Sequence, residues 1–284
     1  MEAVALRCAV PQRPHVLQQR KQAGLPIAML TAWDALSGAI VAEAGADAVL
    51  VGDSLAMVVL GHATTLPVTL EEMLHHCRAV GRGIAHSGRE APPLIADLPF
   101  LSYQCSAEDA LRAGGRVLKE TPAAAVKLEG AEPETLLAID RMVRAGIPVM
   151  AHLGLTPQSV HRLGYRRQAE DPLAQERLQR QALELEAAGC FALVLEHVPA
   201  TVAAVISGRL AIPVIGIGAG DQCDGQVRVT ADLLGLTERQ PPFSPPLLAG
   251  RSLCIEALRG WVAGLQPQDP VHPTTPEAPA APHC

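Results

Sequence analysis

The sequence is poor in aromatic residues and in lysine. Only two Trp, two Tyr and three Phe occur among 284 residues, although 49% of the residues are hydrophobic. Any large core must therefore be built from aliphatic side chains, which is typical of layered strands and helices. Lysine occurs only at positions 21, 119 and 127, and the formal net charge is −6. This balance argues against a nucleic acid as a partner.

The chain also lacks paired cysteines and long apolar runs. Its seven cysteines are scattered and form no CxxC pair. This pattern indicates reduced thiols and excludes a disulfide framework or a zinc site of ordinary spacing. No run approaches the roughly 18 apolar residues of a membrane span, and the N-terminus has no apolar signal core. We therefore expect a cytoplasmic protein with no membrane partner.

Proline marks the predicted boundary at the C-terminal side. Six prolines recur at every third position from 267 to 282. That period favours an extended polyproline II segment with nothing to pack against. We predict an N-terminal segment at residues 1–24, one folded domain at residues 25–264 and a disordered, proline-rich tail at residues 265–284.

A module of helix, small-residue break, short apolar run and polar residue repeats along the predicted domain. It places eight buried parallel strands that end near Thr31, Asp53, Asp97, Glu129, His152, Glu196, Gly216 and Thr230. Helical segments are predicted at residues 34–44, 69–86, 106–120, 133–145, 178–188, 199–207 and 252–264. Eight alternations favour an α/β fold of the (βα)8 TIM-barrel type. A doubly wound open sheet is the alternative.

Four predicted strands lead directly into a carboxylate: Asp53, Asp97, Glu129 and Glu196. Strand ends of this kind meet at the reactive face of a barrel. Each carboxylate could instead cap the next helix or turn. Four like charges on one rim repel one another, however, and a cation offsets that repulsion. Asp53, Asp97 and Glu129 are hard oxygen ligands, which suit Mg²⁺.

Other residues near these strand ends could take part in chemistry. Lys127 and Glu129 are two residues apart on a strand and so point to one face. They form either a purely structural pair or a positive site for an anionic substrate beside the metal. Glu196 could act as a general base, and His152 could orient a substrate. The glycine-rich stretch at residues 216–225 fits either a phosphate site or close backbone approach.

The same residues carry a resemblance to the ketopantoate hydroxymethyltransferase (3-methyl-2-oxobutanoate hydroxymethyltransferase) family. It extends over about residues 25–236, in the family's order. The matching stretches are MLTAWDALSGAIVAEAGADAVLVGDS, LGHATTLPVT, IADLPFLSY, AVKLEG, AHLGLTPQS, LVLEHVP and IPVIGIGAGDQCDGQVRV. Several long motifs in sequence are far more specific than a single glycine loop.

The resemblance implies a metal-dependent barrel enzyme of pantothenate biosynthesis. Such an enzyme moves a one-carbon unit from 5,10-methylenetetrahydrofolate to 3-methyl-2-oxobutanoate through an enolate, giving 2-dehydropantoate. By motif, the Mg²⁺ positions are Asp53, Asp97 and Glu129, and the oxoacid positions are Asp53, Ser54, Asp97 and Lys127. Glu196 matches the proton acceptor. The family's usual assembly implies a homo-oligomer, a decamer.

The sequence departs from the family pattern outside these positions. A usual glycine and basic residue are here Ala169 and Glu170, a usual cysteine is His197, and a usual histidine is Ala231. A folate-independent, metal-dependent carbon–carbon lyase or mutase acting on a 2-oxoacid enolate is the alternative function. Such an enzyme would keep the three metal positions and not require folate.

Overall fold

Eight parallel strands close into a barrel in the computed structural model, which describes residues 13–88 and 90–265. Each strand pairs with the next along the chain, and β8 pairs with β1. This confirms the predicted TIM barrel and excludes the open sheet. The strands are β1 (Ile27–Thr31), β2 (Ala48–Val51), β3 (Leu94–Asp97), β4 (Ala125–Glu129), β5 (Val149–Gly154), β6 (Ala192–Glu196), β7 (Val214–Ile217) and β8 (Gly225–Arg228).

The seven predicted helices are all present, but some bounds differ and short helices were missed. The helix before β6 begins at Pro172 rather than near residue 178, because Asp171 accepts a hydrogen bond from the Ala174 N–H and Pro172 suits the first turn. The helices are α1 (His15–Gln22), α2 (Ala35–Glu43), α3 (Leu55–Val58), α4 (Leu70–His86), α5 (Ala107–Glu120), α6 (Pro133–Arg144), α7 (Val160–Leu163), α8 (Pro172–Ala187), α9 (Ala200–Arg209), α10 (Thr230–Leu233) and α11 (Gly250–Gly264).

Side-chain caps fix where several barrel helices begin. Asp34 caps α2, Thr69 caps α4 and Ser106 caps α5, each accepting a backbone N–H of the first turn. These caps satisfy N–H groups that have no partner inside the helix. The first residues of these helices are therefore set by polar side chains of the loops that follow β1, β2 and β3.

The core has two layers, as alternation along barrel strands requires. One cluster fills the barrel interior and includes Met29, Leu50, Ile95, Met150 and Ile215. A larger cluster lies between the strands and the surrounding helices. Both are almost wholly aliphatic, as the composition predicts.

The last described helix, α11, does not pack into the barrel wall. Every residue from 251 to 265 is exposed, and only Gly250 at its start is buried. Its apolar side chains include Leu258 and Trp261, which are 65% and 67% exposed. The helix is therefore where the sequence predicts it, but its apolar side chains have no partner within the described part of this chain.

Half of the predicted N-terminal segment and nearly all of the predicted tail lie outside the described residues. This applies to positions 1–12 of the N-terminal segment and to positions 266–284 of the proline-rich tail. Within residues 13–88 and 90–265, no helix is long and apolar enough to cross a membrane.

Candidate active site at the carboxyl end of the barrel

Asp53 and Asp97 lie side by side at the carboxyl ends of β2 and β3. Asp53 comes two residues after β2, and its backbone N–H donates to Asp97 Oδ2 at 3.0 Å. Asp97 is the last residue of β3. Both side chains are buried. The local turn after β2 thus brings two predicted site carboxylates together.

Lys127 and Glu129 point to the same face of β4, as their spacing predicts. Lys127 Nζ donates to Asp97 Oδ1 at 2.7 Å, and only 5% of Lys127 is exposed. Glu129 is also buried, and its Oε2 accepts the Gln158 backbone N–H at 3.0 Å. A buried ammonium group therefore lies among three carboxylates.

His152 lies between two carboxylates rather than at a strand end. It is the fourth residue of β5, which continues to Gly154. Its Nδ1 is 3.4 Å from Glu129 Oε1, and its Nε2 is 3.3 Å from Glu196 Oε2. Neither ring nitrogen has a partner of hydrogen-bond geometry among the described residues. His152 thus bridges the Asp97–Lys127–Glu129 group and Glu196 at the end of β6.

Two further residues, Tyr103 and Gln158, connect the site and were missed by the sequence analysis. Gln158 Nε2 donates to Asp53 Oδ2 at 2.8 Å and to the Leu98 carbonyl at 2.9 Å. The Tyr103 hydroxyl donates to Gln158 Oε1 at 3.0 Å and accepts the Glu129 N–H at 3.0 Å. Both side chains are buried. They fix the orientation of Asp53 and Glu129 through a network whose polar atoms are well satisfied.

The electrostatics of the site reflect an excess of negative charge. Burial, Asp97 and Glu129 raise the pKa of Asp53 well above its usual value, and Lys127 and Gln158 only partly oppose them. Burial lowers the pKa of Lys127, but Asp97, Asp53 and Glu129 outweigh it and raise that pKa. Burial also lowers the pKa of His152, yet Glu129 and Glu196 raise it to about 9.

The carboxylates of Asp53, Asp97 and Glu129 are donors that suit a hard divalent cation, although the described residues do not form a complete metal site. No group of three or more His, Cys, Asp and Glu side chains in the described chain is arranged to hold a metal ion by itself. Lys127 and Gln158 already bind oxygens of Asp97 and Asp53. Mg²⁺ commonly takes only one or two carboxylates and completes its shell with waters and substrate oxygens. The residues present therefore suit Mg²⁺ held together with a bound oxoacid.

All seven predicted site residues line one cavity of 560 Å³ at the mouth of the barrel: Asp53, Ser54, Asp97, Lys127, Glu129, His152 and Glu196. Its other walls are largely apolar and include Met57, Val58, Tyr165 and Phe243. The segment at residues 239–244 closes one side, where the Phe243 ring lies 5.0 Å from the His197 ring. The cavity thus has an acidic floor and a drier upper part.

The glycine-rich stretch serves close packing here. Gly218 has φ +60°, and a Cβ on it would lie 2.7 Å from Phe243 Cγ. A side chain at this position would push away the segment that closes the cavity.

The backbone of two residues that depart from the family pattern is also left-handed, with φ 55° at Ala169 and 48° at His197.

Comparison with protein families and with curated proteins gives one consistent result. The sequence model of the ketopantoate hydroxymethyltransferase family matches residues 12–269. The 3-methyl-2-oxobutanoate hydroxymethyltransferase of Parasynechococcus marenigrum (strain WH8102) is 68% identical over 265 residues, covering 93% of this chain and 99% of the relative. The enzyme of the same name from Synechococcus sp. (strain CC9902) is 66% identical, covering 96% of this chain and 100% of the relative.

Solved structures share the fold at low identity. A phosphoenolpyruvate phosphomutase from Streptomyces platensis superposes with a TM-score of 0.64 at 14% identity, covering 89% of this chain and 88% of that one. A 2,3-dimethylmalate lyase of the PEP mutase/isocitrate lyase superfamily gives 0.59 at 16% identity, covering 93% and 92%. These likenesses concern the barrel and not the reaction.

Proposed function

The chain belongs to the ketopantoate hydroxymethyltransferase family, and we propose that it transfers a hydroxymethyl unit from 5,10-methylenetetrahydrofolate to 3-methyl-2-oxobutanoate, giving 2-dehydropantoate. The observation that carries the proposal is the joint placement of Lys127, His152 and four carboxylates in one cavity at the carboxyl end of the barrel. An anionic oxoacid that must lose a carbon-bound proton needs such a set. A positive group holds its charge, and a carboxylate that lies apart from the proposed metal positions accepts its proton.

The oxoacid binds against the floor of the cavity. Lys127 offers the positive charge for its carboxylate, and Ser54 lies beside Asp53 at the edge of the same cavity. Asp53, Asp97 and Glu129 would hold Mg²⁺, with Asp53 and Glu129 in the orientation that Gln158 and Tyr103 fix. When bound, Mg²⁺ supplies Lewis-acid polarisation of the 2-oxo group. The four carboxylates of the site outnumber its two basic groups, Lys127 and His152. The resulting negative charge favours the binding of a divalent cation.

Glu196 removes the C3 proton of the oxoacid. Its carboxylate lies across the site from Asp97, with His152 Nε2 at 3.3 Å as its nearest charged partner. His152 holds Glu196 in place and is itself held by Glu129 on its other side. Lys127 favours the enolate formed, whose carbon then bonds to the methylene carbon of the folate. The bonds from that carbon to N5 and N10 break, and water supplies the hydroxyl oxygen. Tetrahydrofolate leaves with one nitrogen protonated by that water and the other by the proton taken from C3. The apolar upper walls keep other water from the reactive carbon.

The test is a comparison of turnover with and without folate. Purified protein is incubated with 3-methyl-2-oxobutanoate and Mg²⁺, and 2-dehydropantoate is followed by NMR. Product that forms only with 5,10-methylenetetrahydrofolate supports the proposal. No product above a protein-free blank would contradict it. Turnover of other 2-oxoacids without folate would instead favour the lyase or mutase alternative.

The protein is also proposed to be a homo-oligomer in the cytoplasm. The five described cysteines are free thiols, which accords with a reducing compartment. Helix α11 offers Leu253, Leu258 and Trp261 to solvent, and a second copy is the partner that can cover them in every molecule at once. The family resemblance implies a decamer.

A variant on α11 tests the assembly. Leu258→Glu together with Trp261→Glu places two charges on the apolar helix, so we expect the oligomer to dissociate. Light scattering coupled to gel filtration measures the mass. Arg259→Glu on the same helix is the control, because it changes charge without removing apolar surface. A monomeric wild-type protein, or an unchanged mass for the double variant, would contradict this role of α11.

A further inference from the structure

Asp232 is a buried carboxylate in the cavity that the chemistry of the oxoacid leaves unused. It lies on α10, directly after β8, and lines the same cavity as Glu196 with only 5% of its surface exposed. The Thr237 hydroxyl donates to its Oδ1 at 2.7 Å. Among the described residues no Lys, Arg or His forms an ion pair with it, and no hydrogen bond reaches its Oδ2. Burial raises its pKa, and the Thr237 hydrogen bond only partly opposes this.

Two hydroxyl groups in the same cavity also lack partners. Thr65 Oγ1 and Ser244 Oγ are buried and have no hydrogen bond within residues 13–88 and 90–265. Both residues line the cavity and are at most 2% exposed. Buried polar atoms are nearly always paired, so orphans in a cavity wall indicate a polar ligand. Asp232, Thr65 and Ser244 thus add to the cavity wall polar atoms that the oxoacid site does not use.

The ring of Phe243 gives the same cavity a flat aromatic surface. Phe243 precedes Ser244, and its ring packs against the His197 ring. It also lies so close to Gly218 that a side chain there would displace it. An aromatic ring fixed in a cavity wall favours a planar, fused ring system as its partner. The combination of a carboxylate and a ring wall therefore selects a flat heterocycle with hydrogen-bond donors on one edge.

We propose that Asp232 binds the pterin ring of the folate donor, with its carboxylate accepting from the N3–H and 2-amino groups while the ring packs near Phe243. This inference rests on the proposed function and adds the site of its second substrate. The pyrimidine edge of a pterin carries these two donors side by side, matching the two oxygens of a carboxylate. Oδ1 can accept a second hydrogen bond besides that from Thr237, because a carboxylate has about four lone-pair sites.

The first experiment removes the charge of Asp232 and keeps its size. In Asp232→Asn the carbonyl oxygen still accepts from Thr237. We expect tetrahydrofolate binding, measured by calorimetry, to weaken by about 10- to 100-fold, the usual loss for a hydrogen bond to a charged group. C3 deuterium exchange of 3-methyl-2-oxobutanoate without folate should stay at the wild-type rate. Asp221→Asn is the matched control, since Asp221 is an exposed carboxylate on the loop between β7 and β8.

The second experiment changes the ligand and needs no variant that must fold. A tetrahydrofolate in which a methyl group replaces the 2-amino group should bind wild-type protein about 10-fold more weakly or worse. Asp232→Asn should no longer distinguish it from tetrahydrofolate so strongly. Equal binding of both ligands by the wild type would overturn the inference, as would unchanged tetrahydrofolate affinity in a folded Asp232→Asn. A wild-type protein that makes no 2-dehydropantoate would contradict the proposed function instead.

Discussion

The two ends of the barrel balance their charges in different ways. At the amino end, Lys21 Nζ donates to Asp224 Oδ2 at 2.8 Å and to the carbonyls of Ser207 and Ile212, and Arg20 pairs with Asp47 at 3.0 Å. Each cation there has a carboxylate of its own. At the carboxyl end, four carboxylates share Lys127 and His152. Charge at the amino end thus stabilises the fold, whereas charge at the carboxyl end costs stability and is explained by chemistry.

The backbone shows the same contrast. Three non-glycine residues of the described chain have positive φ: Leu101, Ala169 and His197. They follow β3, β5 and β6, so all three belong to loops at the carboxyl end. Left-handed backbone is unfavourable for residues with a Cβ and gathers at functional sites. Strain and unbalanced charge therefore occur together at the mouth of the barrel.

The largest expected effect is loss of metal binding in Glu129→Gln. The amide can still accept the Gln158 N–H but offers Mg²⁺ no negative charge. We expect Mg²⁺ affinity in the presence of 3-methyl-2-oxobutanoate to fall by about 100-fold or more, measured by calorimetry. Glu132→Gln is the control, since Glu132 is three residues away and pairs with Arg162 outside this network. Equal Mg²⁺ affinity in the Glu129 variant and the wild type would remove Glu129 from the metal site.

At the amino end, Lys21→Met should lower stability and leave catalysis unchanged. The variant leaves Asp224 without its cation and two carbonyls without a donor. We expect the free energy of unfolding to fall by about 2 kcal/mol, with catalytic rate unchanged. Denaturant unfolding and the steady-state rate give the two numbers. A loss of activity in a folded Lys21→Met variant would contradict the claim that charge at the amino end serves stability and not catalysis.

A gain in stability is expected when one site charge is removed. Asp53→Asn relieves the repulsion from Asp97 and Glu129, and its side chain still accepts from Gln158. Without Mg²⁺ at neutral pH, the free energy of unfolding should rise by about 1 kcal/mol while activity is lost. The difference from the wild type should shrink as the pH falls, because protonation of Asp53 relieves the same repulsion. A less stable variant would show that Asp53 contributes to the fold.

The smallest effect is expected from Ala169→Gly. Ala169 is buried with φ 55°, a conformation that glycine adopts freely. We expect stability to rise by about 0.5–1 kcal/mol, because relief of strain outweighs the larger entropy of the unfolded chain. Thermal unfolding measures the change, with Ala188→Gly at the end of α8 as the control at negative φ. A destabilised Ala169→Gly would mean that this backbone is not strained.

The barrel and its acidic floor could be predicted from the sequence because they depend on local pattern. Apolar runs bounded by Gly or Pro place the strands, and three of these runs end on a carboxylate that lines the cavity. Asp97, Glu129 and Glu196 are the last residues of β3, β4 and β6, as the runs indicate.

Tyr103, Gln158 and Asp232 could not be predicted, because they lie on loops or short helices that have no period. Their positions follow from tertiary contacts that span up to 105 residues, such as that between Gln158 and Asp53. The exposure of α11 has a different cause. An apolar face looks the same in the sequence whether its partner is its own barrel or another molecule.

Solvent exchange at C3 of 3-methyl-2-oxobutanoate tests the central claim most directly. NMR in D₂O follows the exchange with Mg²⁺ for wild-type protein and for Glu196→Gln. The wild type should replace the C3 proton of the oxoacid with deuterium. The variant should bind the oxoacid equally well, but its exchange of this proton should be about 10²- to 10⁴-fold slower, because it lacks the base. Undiminished exchange in Glu196→Gln would contradict the assignment of the carboxyl end of this barrel to proton abstraction.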